Sequence, residues 1–221
     1  MMISPNVYYE EYLKGKNAEQ IMTAIRSLKR EISHLKNIME HPEYQCMMHP
    51  SEAVRISCNR YYLDRAKQAL SEAGGVYTPT KAELKAQQFN DNIPYIEKVE
   101  FSIGGFFDGH EKRIYAIEGD VVNTYIEHSL MLKPSNFDDA EIEKMTKDDF
   151  LDGIAGLHIG EWDRNYSPRR FGYEVLDGTQ WHLYIYFSNG SRTVKIEGSN
   201  AYPYNFDELK ELFEIEIWRM T

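Results

Sequence analysis

Residues 21–39 read IMTAIRSLKREISHLKNIM, the most strongly patterned stretch of the chain. Its large apolar residues recur at alternating gaps of four and three positions: Ile21, Ile25, Leu28, Ile32, Leu35 and Met39. This spacing places them along one seam of an α-helix, as in coiled coils. The helix is expected to run from Asn17, a good N-cap, to Glu40, because His41-Pro42 disfavours continuation.

The seam needs an apolar partner, and the next helical pattern supplies one. A second helix is predicted from Ser51 to Gly74, with apolar or small residues along one face: Val54, Cys58, Tyr62, Ala66, Ala69 and Ala73. The loop HPEYQCMMHP, residues 41–50, should join the two helices into an antiparallel hairpin. Thr80 and Glu83 form a capping box, which predicts a short third helix through about Phe89.

From Tyr95 onward, apolar and polar residues alternate with the period of a β-strand. Strands are expected at Val99–Ile103, Arg113–Ile117, Val121–Ile126, Phe171–Leu176, Trp181–Phe187 and Thr193–Glu197. Helices are expected near Asp138–Met145, from Thr146 to about Leu157, and from Asn205 to about Phe213. Asn189-Gly190 between two apolar strands is a strong hairpin signal.

These elements predict an α+β protein: an N-terminal antiparallel helical hairpin followed by an antiparallel β-sheet with helices. The expected divisions are residues 1–76 for the hairpin, 77–93 for a linking helix and 94–221 for the sheet region. FFDGHEKRIYAIEGD (106–120) and YFSNGSRTVKIEGSN (186–200) share an aromatic residue, a glycine turn and Ile-Glu-Gly. This echo favours a duplicated hairpin-plus-helix unit. The alternative is that all hairpins share such turns.

Composition indicates a cytoplasmic protein. The net charge is −10, and residues 76–221 contain 26 Asp/Glu against 15 Lys/Arg, a net −11. The longest apolar run, Trp181–Phe187, is far shorter than the roughly 20 residues of a membrane span, so no membrane association is expected. The N-terminal MMISPNVYYEEYLKG has acidic residues and tyrosines where a secretory signal has a basic start and an apolar stretch. Two cysteines are too few for a disulfide framework and are expected as free thiols.

The sequence contains no phosphate-binding loop, nucleophile elbow, dinucleotide fingerprint or zinc-protease helix. No cofactor is therefore predicted. The leading hypothesis is a non-enzymatic module that binds another protein through an acidic, tyrosine-rich surface of the C-terminal part. The sequence sets no expectation for the oligomeric state.

Two tyrosines are the first candidates for that surface. Tyr184 and Tyr186 alternate with Leu183, Ile185 and Phe187, so one set faces the core and the other is exposed or packed against a helix. Exposed tyrosines supply large, rigid contact area for binding. The alternative is ordinary packing on the sheet, which is the commoner role of such tyrosines.

HIGEWDRNYSPRR, residues 158–170, gathers ionisable side chains between a helix and the second sheet region: His158, Glu161, Asp163, Arg164, Arg169 and Arg170. A base or metal ligands beside cations would suit a metal-assisted hydrolase or nuclease, which is the enzymatic alternative. His182 would join this site if its strand lay near His158. Otherwise the segment is a polar loop whose arginines are candidates for binding a partner.

Four residues of zinc-binding type lie in and after the inter-helix loop: His41, Cys46, His49 and Cys58. Their spacing, H-x4-C-x2-H-x8-C, matches no standard zinc knuckle. Cys58 also fits the apolar face of the second helix as a small buried residue. A metal site is therefore not favoured.

Nucleic-acid binding is a further alternative, because both predicted hairpin helices carry basic residues: Arg26, Lys29, Arg30, Lys36, Arg55, Arg60, Arg65 and Lys67. A basic stripe can follow a phosphate backbone. However, a chain with a net charge of −10 is repelled from nucleic acid unless the basic patch is well separated. Solvated helix faces are the favoured interpretation.

IRSLKREISHLKNIMEHP…EAGG and, separately, IEGSNAYPYNFDELKELF resemble segments of hypothetical proteins from gut Firmicutes and their mobile elements. The resemblance implies no activity and no residue role. A mobile-element origin would fit an inhibitor of host or phage defence, since an acidic surface can occupy a basic nucleic-acid channel.

Overall fold

The structure is a computed structural model that describes residues 3–46, 48–105, 109–128, 145–175 and 177–215. The chain divides into two compact units, Met1–Thr80 and Lys81–Thr221. The first unit is helical and the second contains the sheet, which confirms the predicted α+β class. The three-part division at residues 76 and 93 stays a prediction.

The first unit is built from four helical segments: α1 (Pro5–Tyr8), a π-helical turn (Tyr9–Leu13), α2 (Ala18–Met39) and α3 (Glu52–Glu72). Asn17 caps α2, because its side chain accepts from the Gln20 N–H at 3.0 Å while the Gln20 side chain accepts from the Asn17 N–H at 3.1 Å. The Ser51 hydroxyl caps α3 by accepting from the Val54 N–H at 3.4 Å. Both long helices therefore begin where the sequence predicts.

The predicted seam of α2 is its buried face. Five of its six residues are at most 8% exposed: Ile21, Ile25, Leu28, Ile32 and Leu35. Ala66, Ala69 and Leu70 of α3 belong to the same apolar cluster as the first three of them. Glu31 of α2 pairs with Arg55 at the start of α3, at 2.5 Å. Gly75, just beyond α3, lies next to Ala18 at the start of α2, so the hairpin is antiparallel as predicted.

The apolar face predicted for α3 is wrong at its two ends. Val54 is 38% exposed and Ala73 is exposed, whereas Ile56 is only 3% exposed. The buried apolar residues of α3 are Ile56, Ala66, Ala69 and Leu70, with Leu63 partly buried beside them. The predicted face is thus retained at Ala66 and Ala69, and larger apolar side chains join it. Of two overlapping helical faces, the one with more apolar area is buried, because its burial contributes more to stability.

The second unit alternates helices and strands: α4 (Lys81–Asn92), β1 (Ile96–Gly105), β2 (Gly109–Glu118), β3 (Val121–His128), α5 (Lys147–Gly156), β4 (Asn165–Tyr166), β5 (Gln180–Phe187), β6 (Val194–Ser199) and α6 (Phe206–Leu212). Short 3-10 turns occupy Ile93–Tyr95, Ile159–Glu161 and Pro168–Phe171. The strands form one sheet in the order β3-β2-β1-β5-β6-β4. All neighbours are antiparallel except β4 and β6, which run parallel.

The predicted strand Phe171–Leu176 is wrong within its described residues. Phe171 ends a 3-10 turn, and Gly172 has a φ of 83°, a left-handed conformation that glycine adopts without steric cost. The edge of the sheet is formed instead by Asn165–Tyr166. Leu176, residues 106–108 of the predicted repeat, and the helix predicted near Asp138–Met145, except for its last residue, lie outside the described residues.

The core of the second unit lies on one face of the sheet. Alternate residues of the two central strands point into it and are at most 1% exposed: Val99, Phe101, Trp181, Leu183 and Ile185. Phe89 of α4, Phe150 of α5 and Leu209 of α6 pack in the same cluster. The helices therefore cover this face. β1 and β5, the first strands of the two hairpins, pair with each other, as a duplicated hairpin unit would; the duplication stays a prediction.

Candidate functional site

The second face of the sheet, which we call the outer face, carries the polar half of the strand alternation. In β5, Leu183 and Ile185 are fully buried, whereas Tyr184 and Tyr186 are half-buried on the opposite side. This confirms that the two sets of residues face opposite ways. The outer-face side chains of β1, β2, β5 and β6 are all half-buried or exposed: Lys98, Glu100, Ser102, His110, Lys112, Ile114, Ala116, His182, Tyr184, Tyr186, Lys195 and Glu197.

Strand register sets these side chains in rows across the face. One row runs Lys112, Ser102, His182 and Glu197 from β2 to β6. The next runs Ile114, Glu100, Tyr184 and Lys195, and a third runs Ala116, Lys98 and Tyr186. Directly opposed residues in neighbouring strands are close enough for their side chains to interact. Each tyrosine therefore has a charged neighbour from the adjacent strand.

Glu100 is the electrostatic centre of the outer face. Lys98 Nζ lies 2.7 Å from one carboxylate oxygen of Glu100, and Lys112 Nζ lies 3.3 Å from the other. Burial acts to raise the pKa of Glu100, but the two lysines outweigh it and hold that pKa below its ordinary value. The hydrogen bond to Glu100 likewise raises the pKa of Lys98. Glu100 and Lys98 are therefore charged at neutral pH.

Lysines also hold the two tyrosine rings. Lys98 Nζ lies 4.2 Å from the centroid of the Tyr186 ring, and Lys195 Nζ lies 5.4 Å from that of Tyr184. Such cation–π contacts favour the observed positions of the two rings. Lysines and glutamates alternate here, so the expectation of an acidic tyrosine-rich surface does not describe this face.

A serine, a histidine and a glutamate share one row, which raises the question of hydrolysis. Ser102 Oγ lies 3.4 Å from His182 Nδ1, and the Glu197 carboxylate accepts from Asn165 Nδ2 at 3.0 Å. Acyl transfer by a serine also needs free backbone N–H donors for the oxyanion. Ser102 lies inside β1, which pairs with a strand on each side, so its neighbouring N–H groups are used in the sheet. The backbone around Ser102 therefore offers no free N–H donors for an oxyanion.

The predicted hydrolase residues occupy different places. His158, with a φ of 50°, follows α5 and precedes the 3-10 turn that contains Glu161. Ile159 and Trp162 of this segment pack in the core cluster, so the segment lies on the helix-covered side of the sheet, whereas His182 lies on the outer face. In residues 3–46, 48–105, 109–128, 145–175 and 177–215, no three His, Cys, Asp or Glu side chains converge to hold a metal.

The three arginines of the same segment are also separated. Arg170 lies 3.4 Å from Asp163 and stacks on the Phe171 ring at 4.6 Å. Arg169 lines a groove of about 380 Å³ together with His182 and Glu197 at the rim of the outer face. Arg164 lines a different cavity, beside α4.

The zinc-type residues lie in the first unit without forming a cluster that could hold a metal, in the part of it that is described. Cys46 is exposed, and Cys58 is half-buried on α3. The Nδ1 atom of His41 accepts from the Glu43 N–H at 3.2 Å.

Several basic residues of the hairpin are engaged within the first unit. Arg55 pairs with Glu31, and Arg65 packs on the Tyr9 ring at 3.8 Å and reaches Glu72 at 3.5 Å. Lys29 and Lys67 lie over the Tyr77 ring, at 5.6 and 4.8 Å. These contacts compete with any phosphate for the same cations.

Lys98, Glu100 and Lys112 were not among the residues predicted from the sequence. The alternation of apolar and polar residues in β1 and β2 predicts only that these three side chains face away from the core. Their convergence on one carboxylate depends on the register of three strands.

Comparison with protein-family models, with curated proteins and with solved structures found no match. In the described part of the chain, none of the helices combines the length and apolarity that a membrane crossing needs.

Proposed function

We propose that this chain is a non-catalytic binding protein whose outer face contacts another protein. The observation that carries the proposal is the placement of Tyr184 and Tyr186 on that face, half-exposed and each held by a lysine of the neighbouring strand. Rigid, partly exposed tyrosines surrounded by polar groups are typical of interface centres, because they offer large contact area at a small entropy cost.

The charge pattern favours a protein partner over nucleic acid. Glu100 and Glu197 alternate with Lys112 and Lys195 on the outer face, so a continuous phosphate backbone would meet carboxylates as often as cations. A protein surface with charges of both signs can match such a pattern pair by pair. The partner we infer therefore presents alternating charges around an apolar or aromatic centre.

The enzymatic alternative has less support. Among the described residues, no three His, Cys, Asp or Glu side chains converge to hold a metal, and His158 and His182 lie on different faces of the sheet.

A photo-cross-linking amino acid at position 184, in the full chain expressed in its source cells, tests the proposal. The control carries the same group at Tyr61, which is 63% exposed on α3. We expect one protein to be captured at position 184 and not at position 61. Its purified form should bind the wild-type chain, and Tyr184→Ala or Tyr186→Ala should raise Kd at least about tenfold.

Tyr61→Ala should leave that Kd unchanged. Equal capture at both positions, or an unaltered Kd in both outer-face variants, would show that the outer face is not the contact surface.

A further inference from the structure

A cavity of about 300 Å³, partly open to solvent, is formed by residues of the second unit, apart from the outer face. α4, the segment after the Ile159–Glu161 turn and the β5–β6 hairpin form its walls. Gly160 allows this close approach, because a Cβ there would lie 2.8 Å from the Ala86 backbone of α4. The volume is at the lower end of the range for small-molecule sites.

Each wall contributes one cation: Lys85 from α4, Arg164 from the segment after the turn, and Arg192 from the hairpin. Among the residues that the structure describes, no carboxylate lines the cavity, although residues 76–221 contain 26 Asp/Glu against 15 Lys/Arg. Four acidic residues are adjacent in sequence to lining residues but do not line the cavity: Asp91, Glu161, Asp163 and Glu197. A group of cations without a carboxylate is therefore a local departure from the charge of the unit.

The two guanidinium groups are available to a ligand. In the part of the chain that is described, the side chains of Arg164 and Arg192 have no hydrogen-bond or ion-pair partner, and only the backbone carbonyl of Arg164 is engaged, by the Glu197 N–H. Lys85 Nζ donates to the Trp162 carbonyl at 3.1 Å, which anchors the ammonium and leaves it further N–H donors. Three unopposed cations around one space raise the local potential and favour an anion there.

The floor of the cavity is apolar and its rim is fixed. Phe89 and Phe187 meet edge to face, with centroids 6.4 Å apart, and Trp162 completes the aromatic lining. The Asn92 side-chain oxygen accepts from Asn189 Nδ2 at 2.7 Å and from Ser191 Oγ at 2.8 Å. These bonds tie the β5–β6 loop to the end of α4, so the walls are formed without a ligand.

We infer that this cavity binds an organic anion: a carboxylate or phosphate held by Arg164 and Arg192, carried on an aromatic or apolar body that packs on Trp162 and Phe89. The guanidinium groups suit the planar, bidentate geometry of these anions. The apolar body distinguishes the ligand from an inorganic ion.

Ligand-observed NMR and calorimetry on the full chain test the inference with four probes: 3-phenylpropionate, phenyl phosphate, the neutral 3-phenylpropan-1-ol and inorganic phosphate. We expect at least one aromatic anion to bind with a millimolar Kd, as its small size allows. The comparison of the two anions identifies the preferred charged group. The neutral alcohol and inorganic phosphate should each bind at least about tenfold more weakly, because the alcohol lacks the anionic group and inorganic phosphate lacks the aromatic body.

The double variant Arg164→Gln, Arg192→Gln should weaken binding of the aromatic anion at least about tenfold. Both side chains are exposed, so the melting temperature should not change. Arg26→Gln, an exposed arginine of α2, is the matched control and should leave the affinity unchanged. No binding of either aromatic anion, equal binding of the neutral alcohol or of inorganic phosphate, or unaltered affinity in the double variant would overturn the inference.

Discussion

The buried hydroxyl of Tyr115 donates a hydrogen bond of 2.8 Å to the carbonyl of Phe213, 98 positions further along the chain. The two rings stack with their centroids 4.6 Å apart. Arg113 Nη1 donates to the same carbonyl at 2.7 Å. One carbonyl just beyond α6 therefore receives two donors from β2, which fixes the end of this helix on the sheet.

Tyr115→Phe removes one of these donors while the Arg113 bond remains. Because the carbonyl keeps a partner, the loss should be modest, about 0.5–1.5 kcal/mol in the free energy of unfolding. Urea denaturation measures it. Tyr125→Phe, at a side chain that is 52% exposed on β3, should change that free energy by less than the error. An equal free energy of unfolding for both variants would show that the hydrogen bond of Tyr115 does not stabilise the fold.

Leu28→Asp places a charge in the seam between α2 and α3, where Leu28 is 8% exposed. Burying an unpaired carboxylate should cost several kcal/mol and lower the melting temperature strongly. Circular dichroism during heating gives the result. Leu84→Asp, at a position that is 52% exposed, is the control and should unfold near the wild-type temperature. An unchanged Leu28→Asp melting curve would mean that the seam is not held against α3.

Glu100 makes the free energy of unfolding depend on pH in the acid range. Its folded-state pKa is lowered from the ordinary 4.5, so its stabilising effect is fully present above about pH 4.5 and is lost as the pH falls through the lower, folded-state pKa. Glu100→Gln should therefore be less stable than wild type at pH 7, and the difference should shrink below pH 4.5. Denaturant titrations at several pH values test this. Glu127→Gln, at a side chain that is 63% exposed, should show little difference at any pH. A Glu100→Gln deficit that is constant with pH would contradict the proposed ion pairs.

Purified protein should carry no stoichiometric zinc, since the loop residues are irregularly spaced and Cys46 is exposed. Elemental analysis after metal-free dialysis decides the point. One zinc per chain that disappears in the Cys46→Ser, His49→Ala double variant would establish a structural metal site in the loop.

Charge reversal at Glu127 and Glu197 should slow association with the partner captured at position 184, and the effect should shrink at high salt. His158→Ala and Glu161→Gln should leave both rate constants unchanged, because they lie away from the outer face. Surface plasmon resonance measures these rates.

A metal-supplemented nuclease and phosphatase panel is the complementary assay. Reproducible metal-dependent turnover that His158→Ala abolishes would refute a purely non-catalytic role.

Local patterns predicted the elements whose determinants lie close together in the sequence. The seam of α2 and its Asn17 cap needed only residues within one helix, and the alternation around Tyr184 needed only one strand. The strand predicted at Phe171–Leu176 is wrong because Gly172 has a left-handed backbone, which the alternation of Phe171, Tyr173 and Val175 does not reveal. Turn geometry of this kind is weakly marked in a single sequence.

The contacts that could not be predicted from the sequence depend on pairing between distant segments of the chain. Glu100 meets Lys112 only because β1 and β2 adopt one register, and His182 parts from His158 only because β5 turns it to the outer face. Arg164 and Arg192 likewise converge through the packing of a turn against a hairpin. Each of these relationships joins distant residues, so residue type and spacing alone did not reveal them.

Because β5 alternates strictly, the residues that maintain the fold and those that determine recognition lie on opposite sides of the strand and can evolve separately. Leu183 and Ile185 maintain the fold from one side of the strand, while substitution of Tyr184 or Tyr186 on the other alters recognition without opening a cavity in the core. Descendants of such a chain could exchange their outer-face residues and acquire new recognition while their architecture stayed constant. We therefore expect relatives of this protein to diverge fastest at positions 98, 184 and 186 and slowest at positions 99, 183 and 185.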